Sequence, residues 1–328
     1  MLARSRLGQA FLVVASAAAL YILAALLTGW REISAQLAAY PARLLAPLIG
    51  LSLVNYGLRY GRWEMFLRRL DIRLPWSQSL AVFVATFALA ITPGKVGEVF
   101  KAGYLWERRG VPLSRGLAIV VAERAFDLLA IVLLAAGGLL YWTGPVAGIR
   151  VALLVGALAP LLVLALRAQG VQQWLLARCA RAPWLRGRVP ALAEGIASLR
   201  RLTTPLTGTS SLLLSVCAWL AECASLWLVC EGLDSAISPG QALFVYAAAT
   251  LAGSLIFLPG GLGGTEGTIV FLLLALRLSM ETAISAALIV RLSTLWLAVC
   301  LGLLAFLLAR RRFLAAPGAG APLNDWTR

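Results

Sequence analysis

"FLPGGLGGTEG" occupies residues 257–267, inside an otherwise continuous apolar stretch. Within hydrocarbon every backbone N–H and C=O must find an internal partner. A segment holding a proline, five glycines and a glutamate therefore cannot continue as a lipid-facing helix. The helix has to break here. An earlier stretch, "ITPGKVGEVFKAG" (91–103), breaks in the same way.

What surrounds the breaks is membrane-like. The chain has 328 residues, is 61% hydrophobic and only 13% charged, with a mean hydropathy of +0.88. Soluble domains carry about 25% charged residues. This reads as an all-α polytopic membrane protein. The formal charge of +15 comes from arginine, since Lys95 and Lys101 are the only lysines and histidine is absent. In a membrane setting those arginines hold loops against anionic headgroups, which makes nucleic acid an unneeded partner. Cys179, Cys217, Cys223, Cys230 and Cys300 show no C-x-x-C spacing. No disulfide framework, metal site or cofactor is expected from them.

Apolar runs cover residues 9–28, 44–60, 117–141, 146–166, 209–230 and 283–309. Each is long enough to cross about 30 Å of hydrocarbon. The first is read as a retained span rather than a signal peptide. Two more runs, 78–92 and 241–258, meet the Pro-Gly breaks and resume at 96–106 and 265–277. Treating each broken run as a re-entrant hairpin gives six full spans with both termini on one side. With that side cytoplasmic, only Arg31, Arg43, Arg150 and Arg277 fall outside, while Arg124 and Arg291 lie within spans. A single crossing at the first break would export the seven arginines from Arg167 to Arg201. The positive-inside rule opposes that. Trp30, Trp63, Trp76, Trp106 and Trp142 sit at segment ends, where indoles prefer the interface. The basic, proline-broken segment 171–202 reads as an element lying on the cytoplasmic leaflet. The expected organisation is one transmembrane domain over 1–312 and a flexible tail over 313–328.

The breaks repeat in matching surroundings. "SQSLAVFVATFALAITPGKVG" parallels "GQALFVYAAATLAGSLIFLPGGLG", and an arginine inside a span follows each, Arg124 after Pro93 and Arg291 after Pro259. The order span, span, broken hairpin, Arg-bearing span therefore occurs twice, over 1–141 and 146–312. Three crossings per copy invert the second copy. Inverted repeats whose broken helices meet near the midplane are a transporter architecture, whereas glycines alone would only signal close helix packing.

The chemistry suits an anion. A restarting half-helix offers free N–H groups and the positive end of its dipole. Gly94, Lys95, Gly97 and Glu98 sit at the first break, and Gly261, Gly263, Thr265 and Glu266 at the second. Thr265 is placed to cap the new helix, and the glycines let a ligand approach the backbone. Arg124 and Arg291 should face the bundle interior, where a guanidinium fork can hold two phosphate oxygens. Asp127, one turn from Arg124, is its expected partner. Glu222 in "AWLAECASLW" is either neutralised by Arg291 or Arg124 or protonated. No catalytic constellation is visible.

At "TPGKVGEVFKAGYL" (92–105), "AERAFDLLAIV" (122–132) and "LPGGLGGTEG" (258–267) the sequence resembles the integral-membrane flippase-like family that includes the transmembrane region of lysylphosphatidylglycerol synthases. The resemblance implies movement of a phosphate-bearing lipid, phosphatidylglycerol-like or polyprenyl-linked, between leaflets of a bacterial inner membrane. It implies family motif positions at Gly94, Gly97, Glu98, Arg124, Asp127, Gly261 and Glu266. The chain shows no aminoacyl-transferase domain after residue 312, so it is not expected to make lysyl-lipid itself. A separate lipid-modifying enzyme and a homo-oligomer remain open as partners. The alternatives are a non-transporting scaffold or regulator of a lipid or glycan enzyme, and a polyprenyl-phosphate- or hopanoid-linked lipid transporter or an intramembrane transferase.

Overall fold

The computed structural model describes residues 30–92, 97–143, 168–255 and 259–308, all helix, turn or loop. The expected spans 9–28 and 146–166, the tail 313–328, Gly94 and Lys95 lie outside the described residues.

The first half opens with α1 (Trp30–Ala39) and α2 (Leu45–Arg69), followed by α3 (Trp76–Ala85), which tightens into a 3₁₀ turn over Thr86–Leu89 before the first break. The chain restarts as α4 (Val99–Arg109). Gly110, at φ 61°, ends that helix in the left-handed conformation, and Val111 N–H turns back to Leu105 O at 3.2 Å. Glycine suits that position because it has no Cβ to strain there. The long helix α5 (Leu113–Thr143) follows.

The basic segment forms three short helices, α6 (Gln169–Arg181), α7 (Pro183–Arg186) and α8 (Val189–Leu202). The last lies on the start of α5, where Glu194 accepts from Ser114 Oγ and from Arg115 Nη2, each at 2.9 Å.

The second half continues with α9 (Pro205–Gly232), α10 (Pro239–Leu255), a 3₁₀ turn at Pro259–Gly261 and α11 (Gly264–Ala275). Helix α12 (Met280–Arg291) is N-capped by Ser279, whose Oγ accepts from Thr282 N–H at 3.2 Å. Serine is among the residues that best satisfy a free N–H at a helix start. The helix runs through a π turn at Leu292–Trp296 into α13 (Leu297–Leu308). A π turn disturbs the regular ladder and frees backbone carbonyls. Helix α2 collects them: Ser52 Oγ donates to Ser293 O at 2.7 Å and Tyr56 OH to Thr294 O at 2.5 Å.

Among the described residues, Pro205–Gly232 and Met280–Leu308 are each long and apolar enough to cross a membrane. The pair Arg31–Ala39 and Ala42–Arg69, bent by 69°, adds a third candidate. Leu213, Phe271, Leu307 and Leu308 point outward, as lipid-facing residues do.

The interior holds two large apolar clusters. One gathers Leu226, Val245, Ile269, Leu273 and Val290 around α9 to α12, and the other gathers Trp63, Phe66, Phe83, Ile119 and Leu202 around α2, α3 and α5. Trp63 is therefore not at an interface. It is fully buried, donates Nε1–H to Ser79 Oγ at 3.0 Å, and lies under Lys101 Nζ, 4.9 Å from the ring centroid. Burial follows because α4 folds back over α2 and brings Lys101 to Glu123 at 2.6 Å. That carboxylate neutralises the ammonium stacked above the indole.

Helix packing crosses between the halves through glycine. Gly302 of α13 lies against the backbone of Phe87 and Ala88 in the first broken segment, and Gly138 of α5 lies against Gly240 and Phe244 of α10. The two breaks also meet, with Ile91, Leu262 and Val299 forming a small buried cluster.

Candidate functional site

The second break is shaped by its glycines. Gly260, Gly261 and Gly263 take φ values of 63°, 68° and 81°. Any side chain is strained in that region. The turn lets α11 restart beside α10, where Gly253 sits against Thr265 Oγ1 so closely that a Cβ would collide with it. Thr265 is not the helix cap. Gly263 holds the cap position, and its N–H donates to Glu266 Oε2 at 2.7 Å. Glu266 Oε1 in turn accepts from Arg291 Nε at 2.5 Å, and Arg291 Nη2 donates to Gly260 O at 2.9 Å. One carboxylate thus caps the restarting helix and neutralises the intramembrane arginine.

The first break is built alike. Gly97 N–H donates to Thr92 Oγ1 at 2.8 Å. Glu98 Oε2 meets Arg124 Nε at 2.9 Å, the same pairing of arginine Nε with the glutamate that follows a break. Asp127 accepts from Arg124 Nη2 at 2.7 Å, as expected for residues one turn apart, and also from Arg62 Nη1 at 2.6 Å. Arg59 Nη2 lies 3.5 Å from Asp127 and 3.8 Å from Glu98. Arg62 is buried, donates to Ser215 as well, and belongs to the protein interior rather than to a cytoplasmic loop. Sequence reasoning missed Arg59 and Arg62 because they stand at the end of an apolar run, where arginine ordinarily marks a cytoplasmic flank.

Between the two breaks lies a cavity of about 130 Å³, room for several waters. Glu98 and Ala90 line it from the first half, and Gly260, Gly261, Thr265 and Arg291 from the second. Arg59 and Tyr56 of α2, Trp219 and Glu222 of α9, and Tyr246 of α10 complete the wall. Of the expected site residues, Glu98, Glu222, Gly261, Thr265 and Arg291 reach this cavity. Arg124, Asp127 and Glu266 are not on its wall and instead hold the residues that are. Gly97 and Gly263 shape the two restarts.

Glu222 accepts a hydrogen bond from Tyr246 OH. Arg291 pairs with Glu266, and Arg124 with Glu98 and Asp127. On the turn preceding Glu222, Trp219 is 7% exposed, and among the described residues its Nε1–H has no hydrogen-bond acceptor. Asn55 Nδ2 ties that turn to α2 by donating to Ala218 O at 2.8 Å. The cavity therefore presents a buried N–H donor, tyrosine hydroxyls, arginines and carboxylates within one space. Among the described residues no cluster of His, Cys, Asp or Glu could hold a metal ion.

An all-helical chain with membrane-length apolar helices and a charged, glycine-lined interior defines an integral membrane protein. A profile of the lysylphosphatidylglycerol synthase TM region matches residues 10–302, and the chain belongs to that family. It is similar to a UPF0104 membrane protein of Methanothermobacter thermautotrophicus, 29% identical over 268 residues that cover 75% of this chain and 76% of the relative.

Proposed function

We propose that this protein is a lipid transporter that moves a phosphate-bearing lipid between leaflets of a bacterial inner membrane. The headgroup occupies the cavity between the two breaks while the acyl chains stay in the bilayer. The observation that carries this reading is the cavity wall, where Arg59, Arg291 and Trp219, whose Nε1–H has no acceptor among the described residues, face one space. Such donors recognise phosphate oxygens, and intramembrane ionisable groups of this kind mark transport paths. The phosphate contacts shift from those read in sequence: Arg59 and Arg291 touch the headgroup, and Arg124 supports Glu98 from behind.

In this reading the halves 1–141 and 146–312 are inverted repeats, with six full spans, two re-entrant hairpins and cytoplasmic termini. Two observations support the repeat. Arg124 and Arg291 pair through Nε with Glu98 and Glu266, and each half sends a glycine of its last helix onto the other half's broken segment. The substrate class is a phosphatidylglycerol-like or polyprenyl-linked lipid, and the chain is not an enzyme.

The test is reconstitution of the full chain in vesicles with fluorescently tagged phosphatidylglycerol, followed by accessibility to a membrane-impermeant quencher. Loss of inner-leaflet protection at a rate proportional to protein supports the reading. A rate equal to that of protein-free vesicles overturns it.

A further inference from the structure

We infer that a groove on the exposed face of α2 binds an anionic phospholipid, with the phosphate on Arg68 and Arg69 and an acyl chain along the helix. The groove shares no lining residue with the cavity between the breaks, so its occupancy is independent of the transport reading.

Residues four apart on a helix line up as ridges, with a furrow between neighbouring ridges. Tyr60, Glu64 and Arg68 form one such ridge of α2, and Gly61, Met65 and Arg69 form the next. Eight residues of helix extend over about 12 Å. Both rows end in an arginine at the last turn of the helix. The second row starts with glycine, and among the described residues nothing lies within 4 Å of a Cβ built there, so the furrow is open at that point. Trp76, the first residue of α3, lines the arginine end, and the groove holds about 610 Å³. Its floor is fixed. Tyr60 OH donates to Glu64 Oε1 at 2.9 Å, Ser79 Oγ of α3 donates to the same oxygen, and the Tyr60 ring stands edge-on to Phe83 with centroids 5.4 Å apart. Glu64 is thus held by hydroxyls at the α2–α3 contact. Arg68 and Arg69 are exposed and, among the described residues, neither is in an ion pair.

The order of chemistry along the groove is that of an amphiphile. A tyrosine ring, a glycine gap and a methionine come first, then two guanidiniums, then an indole that is 68% exposed. Indoles and arginines favour the depth of the headgroups, where the acyl chains begin. A guanidinium fork holds phosphate oxygens in pairs. Arg73, also exposed, adds positive charge at the same end. That field attracts an anionic headgroup and repels the ammonium of a zwitterionic one. A free phosphate would use the arginines and leave the furrow between Gly61 and Met65 without a role, so the occupant is a phospholipid. Seated there it touches α2 and Trp76 together, and so braces the start of the helix that leads into the first break.

The experiment counts lipids bound to the full chain by native mass spectrometry, during titration with phosphatidylglycerol, phosphatidylcholine or soluble glycerol phosphate. Wild type should hold one phosphatidylglycerol that the Arg68→Gln/Arg69→Gln protein binds at least about tenfold more weakly, as expected for lost charge-assisted hydrogen bonds. Gly61→Leu keeps both arginines but fills the furrow, and should lose the same lipid. Arg59→Gln, altered only at the central cavity, should keep it. Phosphatidylcholine should bind wild type and the arginine variant alike. Equal phosphatidylglycerol binding by wild type and both groove variants overturns the inference. So does a weakened arginine variant beside an unaffected Gly61→Leu, because the arginines then act without the groove. Glycerol phosphate bound as tightly as the lipid, or phosphatidylcholine lost in step with phosphatidylglycerol, overturns the choice of occupant. Arg68, Arg69 and Gly61 are all exposed, so both proteins should be obtained folded, and either one alone decides against wild type. Failure of the vesicle assay to show lipid movement overturns the transport reading and leaves this site standing.

Discussion

Arg291 Nε donates to Glu266 Oε1 at 2.5 Å, and both side chains are about nine-tenths buried. Because Glu266 also caps α11 through Gly263 N–H, this ion pair fastens the Arg-bearing helix α12 to the tip of the second break. Removing one member leaves a buried charge without its partner, which costs about 3–5 kcal/mol, whereas removing both leaves none. Glu266→Gln is therefore expected to lower thermal stability in detergent sharply, and Glu266→Met combined with Arg291→Met to recover most of the loss. Thermal denaturation followed by size-exclusion recovery measures both. A single variant as stable as wild type would show that the pair does not hold the break.

Arg59 and Arg124 separate contact with a ligand from support of the site. Arg59 is on the cavity wall, and among the described residues its Nε has no hydrogen-bond partner, while Arg124 stands behind Glu98. Loss of a charge-assisted hydrogen bond is worth about 1.5–3 kcal/mol, or roughly a 10- to 150-fold effect on affinity. Arg59→Gln should weaken phosphatidylglycerol binding or transport by such a factor with modest loss of stability. Arg124→Gln should act mainly through stability. Lipid titration and thermal denaturation on the same two variants check this, and the reverse ranking would place the phosphate at Arg124.

The sequence made the two breaks legible because proline, glycine and an acidic residue have no other reason to interrupt an apolar run. The partnership of Arg124 with Asp127 was readable for a similar reason, helical spacing. The cap at Gly263 was not, since Thr265 is the better capping residue by type, and only the left-handed turn moves the helix start to Gly264. Arg59, Arg62 and Trp219 escaped because their roles depend on how α2 and α9 face the breaks. Trp63 misled in the same way: a tryptophan beside arginines looks interfacial until α4 is seen folding over it. Local chemistry could be read along the chain. The far wall of the cavity required packing between segments distant in sequence, as when Asn55 of α2 reaches Ala218 of α9.

Arg277 ends α11 at φ 70°, with Leu278 N–H reaching Leu273 O at 3.1 Å and Arg277 N–H reaching Leu274 O at 2.9 Å. This is a Schellman turn, in which glycine is the unstrained residue. A side chain in that conformation costs roughly 1 kcal/mol or somewhat more. Arg277→Gly should therefore stabilise the protein by about 1 kcal/mol, whereas Arg277→Ala, which keeps a Cβ, should gain nothing. Denaturant or thermal unfolding of the two variants side by side tests the strain directly, and equal behaviour would remove it as the cause.

Gly302 tests whether the two halves are locked through the first break. A Cβ at this position would run into the backbone of Ala88 and Phe87, and backbone has no rotamer by which to yield. Overpacking of this sort costs about 1–3 kcal/mol, and more when a rigid element must shift. Gly302→Leu should therefore lower thermal stability and displace the 3₁₀ turn over Thr86–Leu89 that borders the cavity at Thr86, Phe87 and Ala90. Gly50→Ala is the matched control, because nothing among the described residues lies within 4 Å of a Cβ there. It also replaces a helix-interior glycine by a better helix former. That variant should be neutral or stabilised by about 0.5–1 kcal/mol. Transport assayed beside unfolding completes the comparison: if α13 and the first break move as one, Gly302→Leu loses transport at temperatures where it is still folded, and full activity in a destabilised protein would show that the contact serves stability alone.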